Sequence, residues 1–212
     1  MMKPTSNDNT ARPLLIGITG GIGCGKSYIC HQLEQAGHHV FYCDDVAKQI
    51  IRTHADVKRE LTALVGAEVY DAEGKLVKSV LAAYLCRGTT YSHRVDQIVH
   101  PRVAEDFKQQ AALLTPTIRP SLQCDDKHIC LQQLLQLPTD GVLFMECALL
   151  FESGFDQLVD TSVVVHVSHE TQLARLMARD HISHEKALRW IDLQLSEDEK
   201  VRRADYVINN DL

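Results

Sequence analysis

Gly20-Gly21-Ile22-Gly23-Cys24-Gly25-Lys26-Ser27 satisfies the pattern GxxxxGK[ST], and its flanks turn the pattern into a structural statement. Before it, Leu14–Thr19 is a short apolar run of the kind that forms a buried parallel strand. After it, Lys26–Gln35 has a helical pattern and Gly37 is placed to stop it. A strand, a glycine loop and a helix N-terminus in that order make a phosphate cradle. Glycines let the backbone curl so that successive N–H groups face phosphate oxygens. The helix start adds free donors and its dipole. Lys26 has the length to reach β/γ oxygens, and the Ser27 hydroxyl suits Mg²⁺. The nucleotide-binding residues are therefore read as Gly21, Ile22, Gly23, Cys24, Gly25, Lys26, Ser27 and Tyr28. The competing reading is a glycine-rich turn before an ordinary helix.

Outward from this loop, apolar strand-like runs alternate with helical stretches. Residues 39–43, 142–145, 162–167 and 206–208 read as strands. Residues 45–114 are dominated by helical patterns, interrupted by turn residues near 66–74 and 88–92. Helices are expected over 170–180 and 184–195, and a short one around 129–137 within a mixed segment, 115–138. The strands are too apolar to leave one face wet, so a parallel sheet covered by helices on both sides is expected, an α/β fold. Residues 1–13 read as a flexible tail, and 14–212 as a single domain carrying a large helical insertion after the second strand.

The chain of 212 residues is 45% hydrophobic, enough to bury its own core. No apolar run approaches the ~20 residues of a membrane span, and the leader has no apolar h-region. A net charge of −6, spread along the chain, gives no electrostatic support for coating nucleic acid. Its seven cysteines form no CxxC pair, which suits reduced thiols in the cytoplasm. Cys124, His128 and Cys130, with Asp125 and Asp126 between them, lack a fourth ligand at a familiar spacing and read as a polar loop. Asp71-Ala72-Glu73-Gly74 fits the GTPase string D-x-x-G, but as a polar turn between helices. Asn209-Asn210-Asp211-Leu212 lacks the lysine of a guanine reader. A small-molecule kinase is favoured over a GTPase.

Asp44 follows the second apolar run, where a carboxylate faces the crevice beyond the strand ends and can accept a hydroxyl proton. It is equally placed to cap a helix that starts near Val46. Tyr42, two residues earlier, shares its face if both are on a strand, and would line the acceptor site. Arg175 and Arg179, four residues apart on one helix, can converge on a transferring phosphoryl group. The plainer reading is a solvated face paired to Glu170 or Asp180. His100, before a Pro101 expected to begin a helix, is either a cap or a substrate contact. Glu146 ends a buried strand, where it is paired or faces the nucleotide crevice.

In order along the chain, these motifs resemble the dephospho-coenzyme A kinase family. The resemblance runs from Leu15 to Asn210. It takes in the glycine loop, Cys43-Asp44, Val99-His100-Pro101, Glu146 and Leu149-Leu150-Phe151-Glu152. It continues through Glu170-Thr171-Gln172-Leu173, Arg175, Arg179-Asp180, Gln194, Glu199-Lys200 and residues 204–210. It implies a three-layer P-loop kinase fold with a helical substrate region over about 45–114 and a helical lid over about 170–195. It implies ATP-dependent phosphorylation, with Mg²⁺, of the ribose 3′-hydroxyl of dephospho-coenzyme A. Lys26, Asp44, Arg175 and Arg179 would be catalytic, with Asp44 the base. Ser27 would hold the metal and Asn209 would lie near the adenine. Tyr42, His100 and Glu146 would contact the acceptor. Where the family usually has an aspartate two residues before the base, this chain has Tyr42. Another small-metabolite P-loop kinase and a nucleotide-binding regulator are the alternatives. No feature specifies an oligomeric state.

Overall fold

The run Leu14–Thr19 becomes β1 over those same residues and lies at the centre of a five-stranded sheet. The computed structural model describes residues 12–116 and 120–211. The other strands are β2 (His39–Tyr42), β3 (Val142–Glu146), β4 (Thr161–His166) and β5 (Tyr206–Asn209). Their order is β2-β3-β1-β4-β5, and β1 with β3, β1 with β4, and β4 with β5 are parallel. Ile16, Ile18, Phe144 and Val163 to Val165 are all fully buried, so no polar face had to alternate with the apolar one. The fold is α/β, as expected. Register sets Ile18 opposite Glu146 and Thr19 opposite Val164, so the carboxyl ends of β1, β3 and β4 open onto the same crevice.

The helices are α1 (Lys26–Gln35), α2 (Cys43–Thr53), α3 (Ala55–Val65), α4 (Lys78–Leu85) and α5 (Thr89–Ala112). Then come α6 (Leu131–Leu135), α7 (His169–Asp180), α8 (His184–Asp192) and α9 (Glu197–Arg203). The chain divides into two units, one of Met1–Val40 with Gln110–Leu212 and one of Phe41–Gln109.

In the first unit, the segment read as a tail lies outside the described residues up to residue 11. Arg12 is tied down, pairing with Asp160 at 2.7 Å, while the same carboxylate accepts the Leu15 N–H at 3.0 Å. Serine caps start three helices: Ser168 for α7, Ser183 for α8 and Ser196 for α9. The mixed segment lines the outer edge of β5, where Val207 donates to Lys127 O at 2.8 Å and accepts from Ile129 N at 2.9 Å. Its cysteine and histidine groups serve the loop itself. Cys124 Sγ accepts from Gln133, and the His128 N–H donates to Asp126. Among the described residues no group of His, Cys, Asp or Glu has the arrangement of a metal site.

In the second unit, three sequence expectations are corrected. β2 stops at Tyr42, which takes the N-cap position of α2, and Asp44 lies inside the first helical turn. Asp44 is therefore not the N-cap residue, and it does not share a strand face with Tyr42. Two adjacent carboxylates are favoured in a first turn by the helix dipole. Pro101 does not begin a helix but lies within α5. Val95, Val99, Val103 and Phe107, spaced by four, are buried along one stripe, and that burial carries the helix past a residue costing ~3 kcal/mol. Asp71-Ala72-Glu73-Gly74 is the expected polar turn, closed by Asp71 Oδ1 accepting from the N–H groups of Glu73 and Lys75.

Candidate active site

The glycine loop joins β1 to α1, and its shape depends on glycine at two positions in particular. Gly25 caps α1 in the left-handed region at φ 93°, and a Cβ there would run into the Asn210 amide. A Cβ on Gly21 would collide with Glu197 and the Gln172 amide. The loop is thus moulded against side chains from β5's end, α7 and α9. Lys26 is buried, and its ammonium donates to Gly20 O at 2.8 Å and Gly21 O at 3.2 Å. Ser27 follows in the first turn of α1 with its residue exposed, beside helix N–H groups that no i−4 carbonyl satisfies. Tyr28 is 58% exposed. Cys24 is buried beneath the loop, and burial pushes its thiol up against the opposing influence of Lys26.

Around the loop stands a collar of polar residues. Asn210 Nδ2 donates to Cys24 O at 2.9 Å, while the Asn210 N–H donates to His166 O at 2.8 Å. Gln172 Nε2 donates to Ile22 O at 3.0 Å, and the Ile22 N–H donates to Gln194 Oε1 at 2.8 Å. Lys200 is fully buried with its ammonium 3.5 Å from Glu197, which also lies 3.9 Å from His166. Of these, His166, Gln172, Gln194 and Glu197 line a cleft that includes Ser168 and Ser196.

The structure distributes the sequence-derived candidates unevenly. Arg175 lies at the loop, its guanidinium 3.8 Å from where a Gly25 Cβ would be. Arg179, one turn on, is exposed and paired to Asp180 at 2.7 Å; the pairing raises the Arg179 pKa and lowers that of Asp180. Arg179 thus has the Asp180 pairing of the plainer alternative. Glu146 ends β3 beside Ile18, close enough that its charge is second only to burial in raising the Cys30 thiol. Asn209 is exposed and turns its side-chain oxygen to the Asp211 N–H, and it is Asn210 that touches the loop. These residues belong to the first unit. Tyr42, Asp44 and His100 belong to the second. There Asp44 is exposed, Asp45 holds Lys48 at 2.9 Å, and His100 lies 3.6 Å from Asp96.

Sequence reasoning assigned no role to Gln172, Gln194, Asn210, Glu197 or Lys200, and it did not expect α9. A signal for α9 was present, since Ser196 followed by Glu199 has the spacing of a capping box ahead of a helix. The glutamines stood among the residues that carry the family resemblance, but their partners could not be read there, because an amide's partner is set by tertiary contact.

Comparison with known proteins supports the same reading. The model of the family described as dephospho-CoA kinase, CoaE, matches residues 14–124 and 127–212. A dephospho-CoA kinase of Bacteroides fragilis is 38% identical over 196 residues, 92% of this chain and 84% of that protein. A solved structure from Thermus thermophilus, TT1252, is similar at a TM-score of 0.70 and 26% identity, covering 94% of this chain and 89% of the other. A dephospho-CoA kinase from Campylobacter jejuni shares the fold, with a TM-score of 0.61 at 22% identity over 93% and 88% of the two chains.

Proposed function

This chain belongs to the dephospho-CoA kinase family, transferring phosphate from ATP to dephospho-CoA at the final step of coenzyme A synthesis, and we propose how its residues do so. The observation that carries the proposal is the glycine loop at the β1–α1 junction, with Lys26 seated on it and Arg175 beside Gly25. The loop N–H groups and the start of α1 bind the ATP phosphates, with Lys26 on the β/γ oxygens. The 3′-oxygen of the acceptor ribose attacks the γ-phosphorus. The bond to the β/γ-bridging oxygen breaks, ADP leaves, and Asp44 accepts the hydroxyl proton. Arg175 and Arg179 offset charge on the moving phosphoryl group.

Helices α2 to α5 carry the acceptor contacts Tyr42 and His100, and Glu146 is a further acceptor contact. Helices α7 and α8 form the lid, and the end of β5 at Asn209 borders the adenine. Mg²⁺ fits the donor chemistry available: the Ser27 hydroxyl is a hard oxygen ligand in the first turn of α1, and such ions take few protein ligands beside phosphate. When bound, the ion neutralises phosphate charge. A cytosolic setting is supported by seven cysteines that all stand as free thiols.

The test is turnover of ATP, Mg²⁺ and dephospho-CoA, followed as coenzyme A and ADP, by the native protein and two variants. Asp44→Asn is expected to lose about 10²-fold in kcat with ATP affinity unchanged. Tyr42→Phe loses about tenfold or less, the value of one modest hydrogen bond. The reverse order removes Asp44 as the base.

A further inference from the structure

Both peptide groups that flank Ile22 are held by glutamine side chains. Gln194, just beyond α8, accepts the Ile22 N–H, and Gln172, near the start of α7, donates to the Ile22 carbonyl. Helices α7 and α8 pack on one another, so the two grips come from the two ends of one helical hairpin. A trans peptide is a rigid plane whose N–H and C=O point to opposite sides. Each grip therefore sets a second direction. Holding the Ile22 carbonyl turns the N–H of Gly23 away from Gln172. Holding the Ile22 N–H turns the Gly21 carbonyl the other way, and that carbonyl accepts from Lys26 Nζ at 3.2 Å and from the Cys24 N–H at 3.3 Å.

The loop needs such a constraint. Gly20, Gly21, Gly23 and Gly25 leave its backbone with the widest conformational freedom available, and Gly23 sits at φ 84° with no side chain of its own to fix it. The Gln172 side chain is 1% exposed, and its Oε1 is buried with no hydrogen-bond partner. An amide buried at that cost for the sake of its donor end is in place for the bond it gives.

We propose that Gln172 and Gln194 are positioning residues of the phosphoryl transfer, acting as donor and acceptor on the peptides flanking Ile22, so that the α7–α8 hairpin sets the Gly23 N–H and the seat of Lys26. The proposal rests on the nucleotide-binding reading of the loop. It separates the two glutamines by chemistry, since a carboxylate can replace Gln194 as acceptor but cannot replace Gln172 as donor.

The experiment compares Gln172→Met, Gln194→Met, Gln172→Glu and Gln194→Glu with the native protein. Calorimetry gives affinity for ADP with Mg²⁺, steady-state assays give kcat and both KM values, and melting temperatures are recorded. Both Met variants are expected to bind ADP about tenfold more weakly and to lose about tenfold in kcat, one hydrogen bond's worth, with KM for dephospho-CoA unchanged. Both Glu variants add a charge beside the loop, and the one at Gln172 is the more buried and stands beside Glu197, so the uncharged Met variants measure each bond and the Glu pair shows only which position tolerates an acceptor. Gln194→Glu is expected to bind ADP about tenfold more tightly than Gln172→Glu. Equal ADP affinities for the two Glu variants, or native affinity in both Met variants, overturns the proposal. The ADP measurement needs no acceptor, so failure of the native protein to make coenzyme A would count against the kinase reading alone.

Discussion

Lys26 shows how far a single position could be read in advance. Its spacing in GxxxxGK[ST] placed it at the phosphates, and the structure seats its ammonium on the carbonyls of Gly20 and Gly21, buried under the loop that would hold them. A preorganised charge of this kind is worth about 3–4 kcal/mol in the transition state, so Lys26→Ala is expected to cut kcat/KM by about 10²–10³-fold. The variant should keep its fold, which its circular dichroism spectrum and melting temperature check. Near-native turnover in a coupled ADP assay would remove Lys26 from the machinery. Other single residues were less legible. Asp44 was read as following the second strand directly, and it lies two residues beyond the last residue of β2. Its place inside a helical turn, with Tyr42 as the cap, was hidden because β2 and α2 meet without a linker. Asn209 and Asn210 are chemically identical in sequence, and only the turn after β5 decides that the second reaches Cys24.

Among the elements, α7 carries the clearest consequence. Its N-cap, Ser168, its buried Leu176 and its basic last turn are all sequence-level signals, and its bounds differ from the expected ones by one residue. The i, i+4 spacing puts Arg175 and Arg179 on one face, yet only Arg175 comes to Gly25, because Asp180 draws the second guanidinium to the helix end. An exposed pair of that kind is worth little, so Arg179 can leave it when a stronger charge is offered. Arg175→Ala and Arg179→Ala are each expected to lower kcat more than they raise the ATP KM, by about tenfold or more. Equal and mild effects on both parameters would leave Arg179 a solvated side chain. Pro101 illustrates the opposite failure of local rules, since a buried stripe at a spacing of four outweighs what proline does to a helix.

At the scale of the molecule, the alternation of apolar runs and helices made the α/β class readable, while the strand order was not, because nothing local tells β1 that its neighbours are β3 and β4. That order has a cost that appears only in the assembled core. His38, between Gly37 and β2, is 4% exposed and meets Phe144 of β3 edge-on at 5.3 Å. Burial lowers its pKa from the ordinary 6.5, outweighing a hydrogen bond with the Leu135 backbone that raises it, and neighbouring His39 adds to the lowering. In the unfolded chain the same imidazole takes up a proton as pH falls through 6.5, while the folded chain still excludes it. The unfolded state therefore binds more protons across that window. The stability that His38 leaves intact above 6.5 is lost as pH drops towards its folded-state pKa. Urea unfolding followed by circular dichroism at about pH 7.5 and about pH 5.5 should show a lower midpoint in acid. His38→Phe, which fills the same space without a titrating group, should flatten that difference and so isolate one imidazole among the eleven. A variant whose midpoint falls as steeply as the native protein's would assign the acid sensitivity to other groups and leave His38 a passive part of the core.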